Sequence, residues 1–169
     1  MIIDDEAVQS YLYRKIFRGF LSWDTANFVT DDGQWVDRPS ISAKYAFMFE
    51  NVSDESLMNA VIHNRFINLS DDSLYSHPEC YYRALKNVFF RGKTYRTGVY
   101  GFPIKFCPHC VKRFIVDNGF GYFRKSWTDS SVNFCELHQT YLYYLRPFKR
   151  KTALQDIAVV LSGSIPVNA

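Results

Sequence analysis

Cys107-Pro108-His109-Cys110 and Cys135-Glu136-Leu137-His138 are the two stretches that decide the fold of this 169-residue chain. In each stretch two potential metal ligands are separated by two residues, and twenty-four residues lie between the stretches. This spacing is typical of tetrahedral zinc sites, because one tight turn can direct both side chains at a single ion. We therefore predict a Zn²⁺ site whose ligands are Cys107, Cys110, Cys135 and His138.

The predicted zinc site is closed and structural. Three thiolates and one imidazole fill the four positions of tetrahedral zinc, so no position remains for a water that the metal would activate. We expect the ion to stabilise the fold by on the order of 10 kcal/mol and the protein not to be an enzyme. In a reducing compartment, metal explains clustered cysteines better than disulfides do. His109 lies inside the first stretch, and its side chain is expected to point away from the ion.

A second interpretation uses two of the same thiolates for catalysis. His77-Pro78-Glu79, followed by Cys107 and Cys110, is similar to the H-x-E…P-C-x-x-C pattern of zinc-dependent nucleobase deaminases, in which the Glu transfers protons. In this chain Pro108 follows the first cysteine, whereas the deaminase pattern has proline before it. The deaminase pattern also gives no role to Cys135 and His138. The two interpretations exclude each other, because each needs both thiolates.

The composition is that of a globular protein. Hydrophobic residues make up 47% of the chain and charged residues 22%, which excludes a disordered or low-complexity sequence. No run of consecutive apolar residues exceeds five, which is too short for a membrane-spanning helix. The opening MIIDDEAVQS carries acids where a secretory signal would carry basic residues. We expect a cytoplasmic protein with no membrane partner.

Apolar spacing predicts a mainly α fold with minor β, in which a helical N-terminal part precedes a small zinc-finger-like module. The first helix is expected over residues 5–18, with Asp4 or Asp5 as its N-cap and Gly19 at its end. The other expected elements are helices over 41–50, 53–66 and 80–90, a loop over 24–42, and a connector with short extended pieces over 91–106.

The domain organisation is predicted from the same signals. It consists of a helical domain over residues 1–100, a zinc-binding module over 101–148, and a basic C-terminal segment and tail over 149–169.

Charge is distributed unevenly along the chain. Residues 1–80 hold six Lys/Arg against thirteen Asp/Glu, whereas residues 81–151 hold fourteen Lys/Arg against three acids. A net charge of +11 over 71 residues suits a surface that faces phosphates or an acidic partner. The candidate nucleic-acid contacts are Arg124, Lys125, Lys149, Arg150 and Lys151.

Two aromatic stretches have alternative interpretations. Tyr122, Phe123 and Trp127 alternate with basic residues and could stack on bases. The competing interpretation packs Trp127 and Phe123 against the zinc site as a small core. For the run Tyr141 to Leu145 we favour a core role over a ligand site.

The zinc segment resembles that of the TniQ/TnsD family, the target-selection proteins of bacterial transposons. In FCPHCVKR…GYFRKSW…NFCELHQTYL, the four predicted ligands take the family's metal positions, Tyr122 and Trp127 its aromatic positions, and Leu142 its closing apolar position. The opening DDEAVQSYLYRKIFRG is similar to the family's N-terminal helix, which has a D/E-E-x-x-x-S-Y/W-L run. Gln139 departs from the family, in which glycine commonly follows the histidine.

The resemblance implies a zinc-bearing, DNA-associated adaptor that links a target site or a targeting complex to the transposition machinery. That machinery would include a TnsC-type AAA+ ATPase. A further alternative is a zinc-containing regulator that binds only protein partners through its basic face.

Overall fold

In the part of the chain that the structure describes, the regular structure consists of helices and of strands only two residues long. The computed structural model of the chain describes residues 3–19, 25–37, 39, 47, 49–53, 55–58, 79, 101–146, 149–167 and 169. The longer helices in these residues are α1 (Val8–Gly19), α2 (Pro108–Asn118) and α3 (Arg150–Leu161). More of the described residues are helical than extended. This agrees with the predicted mainly α class with minor β.

The strands are two residues long and form separate antiparallel pairs. Those in the described residues are β1 (Trp35–Val36) with β2 (Gly101–Phe102), β3 (Lys105–Phe106) with β6 (Tyr143–Tyr144), and β4 (Phe134–Cys135) with β5 (Thr140–Tyr141). β2 and β3 confirm the extended pieces predicted for the end of the 91–106 connector.

The loop predicted over residues 24–42 contains regular structure. A turn of 3-10 helix covers Thr25–Asn27, and β1 follows it. The loop prediction is wrong at these positions because Trp35 is a core residue. It is 1% exposed, and its ring packs edge-on against Phe123 at a centroid distance of 5.5 Å. The residues around Trp35 are mostly polar, so the sequence shows no apolar pattern that would predict a buried strand there.

Helix α1 begins three residues later than predicted. The backbone of residues 5–7 pairs with residues 123–125 instead: Ala7 N donates to Phe123 O at 2.9 Å, and Lys125 N donates to Asp5 O at 2.7 Å. Asp5 is therefore not the N-cap, and its carboxylate accepts from Arg124 Nε at 2.7 Å. A tertiary contact thus replaces the first helical turn.

Val8, Tyr11 and Leu12 of α1 are buried, as their apolar spacing predicted. Over residues 8–14 the polar side chains on the other faces are buried as well, because they find partners. Gln9 Nε2 donates to Val36 O, and Tyr13 Oη donates to Leu154 O, each at 2.8 Å. Helix α1 is accordingly a central element of the core.

One hydrophobic cluster joins residues from all three predicted domains. It contains Tyr11 and Leu12 of α1, Phe106 and Trp127 beside the cysteines, and Ile157 of α3. The division into domains remains a prediction about the sequence. The described parts of the three segments share one core, to which the three candidate cysteine ligands belong.

The predicted third helix is described only at its start. Ser53 Oγ accepts from Ser56 N at 3.2 Å, a capping bond typical of serine at the start of a helix, and residues 55–58 are helical. The helix predicted over 80–90, and most of those over 41–50 and 53–66, lie outside the described residues. Among the described helices, none has the length and apolar character needed to cross a membrane.

Candidate metal centre

The first pair of donors lies at the start of α2. Cys107 is in extended conformation immediately before the helix, Pro108 occupies the first helical position, and Cys110 lies in the first turn. The backbone amides of Cys110 and His109 hydrogen-bond to the Cys107 sulfur. A helix N-terminus with amides directed at the sulfur favours a thiolate at this position.

The second pair of donors is built on the β4–β5 hairpin. Cys135 ends β4, and a turn over residues 136–139 returns the chain to β5. His138 N donates to Cys135 O at 3.3 Å, and the amides of His138 and Leu137 also hydrogen-bond to the Cys135 sulfur. The hairpin repeats the arrangement of the first pair, in which two backbone amides point at one sulfur.

The two pairs meet at a single point. The Sγ atoms of Cys107, Cys110 and Cys135 and a ring nitrogen of His138 all lie within 4.8 Å of one another. His138 Nδ1 is 3.5, 3.2 and 3.6 Å from the three sulfurs, in chain order, and Cys110 Sγ is 3.5 Å from Cys135 Sγ. A tetrahedral ion with bonds of about 2.0–2.3 Å separates neighbouring donors by about 3.5–3.8 Å. The four residues could therefore hold one metal ion.

The environment of the sulfurs makes a cation the natural partner. All three cysteines are buried, and burial raises the pKa of the Cys107 and Cys110 thiols. Burial acts in the same direction on Cys135, but the amide of His138 and the hydrogen bonds of the two other thiols outweigh it and lower its pKa. Three thiolates this close would repel one another, and a bound cation removes that repulsion.

His109 and Glu79 do not belong to this cluster. His109 is exposed, as predicted, and its ring centroid is 5.4 Å from that of His138. Glu79 is exposed, and His77 lies outside the described residues. Both thiolates that the deaminase pattern needs belong to the cluster that Cys135 and His138 complete.

Lys105 is a positioning residue that the sequence analysis missed. Its side chain is 3% exposed, and Nζ donates to the carbonyls of Asp129 and Val132, each at 2.5 Å. These carbonyls belong to the loop that leads into β4 and Cys135. Burial lowers the pKa of Lys105. A lysine between Ile104 and Phe106, two residues before a cysteine, gives no sequence signal for this role.

We expect Lys105→Met to lower the free energy of unfolding by about 2–4 kcal/mol, because two partly buried carbonyls lose a charged donor. Urea unfolding of the metal-loaded protein measures this. Lys112→Met on the exposed face of α2 is the matched control and should change stability by less than about 0.5 kcal/mol. Equal stability of the two variants would contradict the assigned role.

Gln139 has a left-handed backbone conformation, with φ of 50°. Glycine adopts this conformation without steric cost, which gives a physical reason for a glycine after the histidine. We expect Gln139→Gly to raise the free energy of unfolding by about 0.5–1 kcal/mol, although it removes the exposed bond from Gln139 Nε2 to Glu136 O. Thermal unfolding checks this. Ser130→Gly, an exposed position without positive φ, should be neutral or destabilising.

The five candidate nucleic-acid contacts fall into two groups. Arg124 forms an ion pair with Asp5, and Arg150 forms one with Asp31 at 2.6 Å and also donates to Val29 O. These two arginines help to attach the basic segment to the N-terminal part. Lys149 and Lys151 are exposed at the start of α3, and Lys125 is half-buried. None of the three lysines forms an ion pair with another described residue.

The aromatic side chains that were candidates for base stacking are buried. Tyr122, Phe123 and Trp127 are 4% exposed or less, so they form core and not a base-stacking strip. This confirms the packing predicted for Trp127. The core role predicted for the run Tyr141 to Leu145 is wrong in part. Leu142 and Leu145 are buried, but the strand alternation turns Tyr141 and Tyr143 to solvent.

Comparison of the chain with protein-family models, curated proteins and solved structures found no match.

Proposed function

We propose that the chain is a zinc-stabilised, DNA-associated adaptor of the TniQ type, which acts in the cytoplasm and links a target site or targeting complex to transposition machinery. That machinery would include a TnsC-type AAA+ ATPase. The observation that carries the proposal is the grouping of Cys107, Cys110, Cys135 and His138 around one point. The specific part of the resemblance to TniQ/TnsD proteins rests on the same four residues.

Zinc is the metal we assign, because of the donor chemistry. Three thiolates and one imidazole with tetrahedral spacing select zinc over the hard cations, which prefer oxygen ligands. Amides directed at Cys107 and Cys135 stabilise the thiolate form that zinc requires. When bound, the ion would cross-link the start of α2 to the β4–β5 hairpin. The four protein donors leave no site for substrate, which favours a structural over a catalytic role.

The DNA-facing surface we propose is the start of α3 and the chain before it. Arg146, Lys149 and Lys151 are exposed and form no ion pair with another described residue. Free cations on one short segment can neutralise neighbouring phosphates. Lys125 is a further candidate, whereas Arg124 and Arg150 act first through their ion pairs.

We expect a duplex oligonucleotide to bind the metal-loaded protein with an affinity that falls steeply between about 50 and 200 mM salt. Lys149→Gln combined with Lys151→Gln should reduce the slope of log affinity against log salt by about 2, since each lysine contacts one phosphate. Fluorescence anisotropy measures both quantities. Lys112→Gln, an exposed lysine of α2, should leave the slope unchanged.

Two results would favour the rival functions. An affinity for duplex that does not depend on salt would contradict phosphate recognition and favour a regulator that binds only protein. Retention of zinc by His138→Ala together with its loss by His77→Ala would favour the deaminase. Co-sedimentation with a TnsC-type ATPase in the presence of ATP tests the recruiting half of the proposal separately.

A further inference from the structure

Three solvent-facing aromatic residues lie on β4, β5 and β6, within a few residues of Cys135 and His138 in the sequence. Phe134, Tyr141 and Tyr143 are 39%, 75% and 40% exposed, and we call them the aromatic face. Phe134 and Tyr141 are directly opposite in the β4–β5 pair, with ring centroids 5.6 Å apart in an edge-to-face arrangement. Tyr141 and Tyr143 lie on the same side of the chain because Leu142 between them points into the core.

The aromatic face is held rigidly. The ring of Tyr143 packs against Phe106, which is fully buried, at a centroid distance of 5.7 Å. Leu142 N donates to Asn133 O at 2.9 Å and ties the two ends of the hairpin together. The described part of the core covers only part of these rings, so large apolar surfaces remain in water. Such surfaces, when adjacent and preorganised, indicate a binding site.

The surroundings of the aromatic face are cationic on one side. Arg146 is exposed and follows Tyr143 by three residues, which limits their Cα separation to about 11 Å. Lys149 and Lys151 continue the positive segment. Glu136, the one acid of the fully described hairpin, lies in the turn at the other end. Flat rings followed closely along the chain by exposed cations match a ligand that has both planar groups and phosphates.

We infer that the aromatic face stacks on unpaired bases of a single-stranded nucleic acid while Arg146, Lys149 and Lys151 contact its phosphates. This inference rests on the proposed function and adds to it the form of nucleic acid that is bound. Duplex DNA keeps its base faces inside the stack, so exposed rings contribute only when the strand is open. An acidic protein partner would use the cations but would not need an array of flat rings.

The test compares a labelled 15-nucleotide oligothymidine with a 15-base-pair duplex, using fluorescence anisotropy and the full metal-loaded chain. We expect Tyr141→Ser and Tyr143→Ser each to weaken oligothymidine binding about tenfold and to leave duplex binding unchanged, because each removes one stacked ring. Tyr141→Phe keeps the ring and should bind as the wild type does. Leu137→Ser, an exposed apolar position of the same hairpin, is the matched control.

Metal content and thermal unfolding of each variant establish that it is folded. Unchanged oligothymidine binding by both serine variants would overturn the inference. Binding of duplex but not oligothymidine by the wild type would also overturn it and would leave the proposed function standing. Binding of neither at low salt would overturn both, and capture of an acidic protein in a manner that depends on Tyr141 would then assign the face to protein.

Discussion

His138→Ala is expected to lose its zinc and to lose the cooperative thermal unfolding transition of the wild type. His138 is one of the four residues, from the start of α2 and the β4–β5 hairpin, that could hold a metal ion between them. Bound zinc at such a site contributes on the order of 10 kcal/mol, which matches the whole stability of a small domain. Circular dichroism during heating, with and without a chelator, measures the effect.

His109→Ala is the matched control for this prediction. It removes a histidine from the same CPHC stretch, but His109 is exposed and lies outside the cluster. We expect the control to keep one zinc per chain and to unfold within a few degrees of the wild type. Similar melting of the His138 and His109 variants, with no effect of the chelator, would contradict a structural metal.

Arg14→Met is the second substitution with a large expected effect, because it leaves a buried carboxylate without its cation. Arg14 Nη2 and Nε donate to the two oxygens of Glu6 at 2.6 and 2.8 Å, and the Glu6 side chain is fully buried. Removing one partner of a buried pair costs about 3–5 kcal/mol. Urea unfolding at neutral pH measures the loss.

The loss should shrink as the pH is lowered from neutral. Burial raises the pKa of Glu6, against the hydrogen bond and charge of Arg14, which lower it. Without Arg14 the pKa rises further, so the folded variant binds a proton that the unfolded chain does not bind. The stability of the variant then increases, relative to wild type, as the pH decreases through the raised pKa. A loss that grows on acidification would contradict this account.

Arg113→Met is the control for the buried pair. Arg113 and Asp117 form an ion pair on α2 in which both side chains are more than half exposed. We expect this change to cost less than about 1 kcal/mol at either pH.

The Glu6–Arg14 pair also explains the N-terminal motif in physical terms. Ser10 Oγ donates to Glu6 Oε1 at 3.1 Å and accepts from Phe123 N at 2.9 Å. The E-x-x-x-S spacing therefore places one hydroxyl between the buried carboxylate and the backbone of the zinc segment. The two stretches on which the resemblance rests are in direct contact.

The metal cluster and the buried face of α1 could be predicted from the sequence, because both depend on local spacing. Two ligand pairs separated by two residues each predict their own turns, and an apolar stripe predicts a helix face. The sequence also shows that Gln139 stands where the family commonly has glycine. Only the structure shows that this residue has a positive φ.

Long-range partners could not be predicted. Helix α1 begins later than predicted because residues 5–7 pair with residues 123–125, more than a hundred positions away. Arg124 and Arg150 appeared free in the sequence but pair with Asp5 and Asp31 of the N-terminal part. Whether a basic side chain faces solvent depends on such contacts, which no local pattern encodes.

Zinc-edge X-ray absorption of the purified chain determines whether all four residues bind one ion. We expect one zinc per chain with three sulfur neighbours at about 2.3 Å and one nitrogen at about 2.0 Å. A shell with two sulfurs, one nitrogen and a water oxygen would contradict this expectation, since Cys135 would then not be a ligand and the site would be open for catalysis.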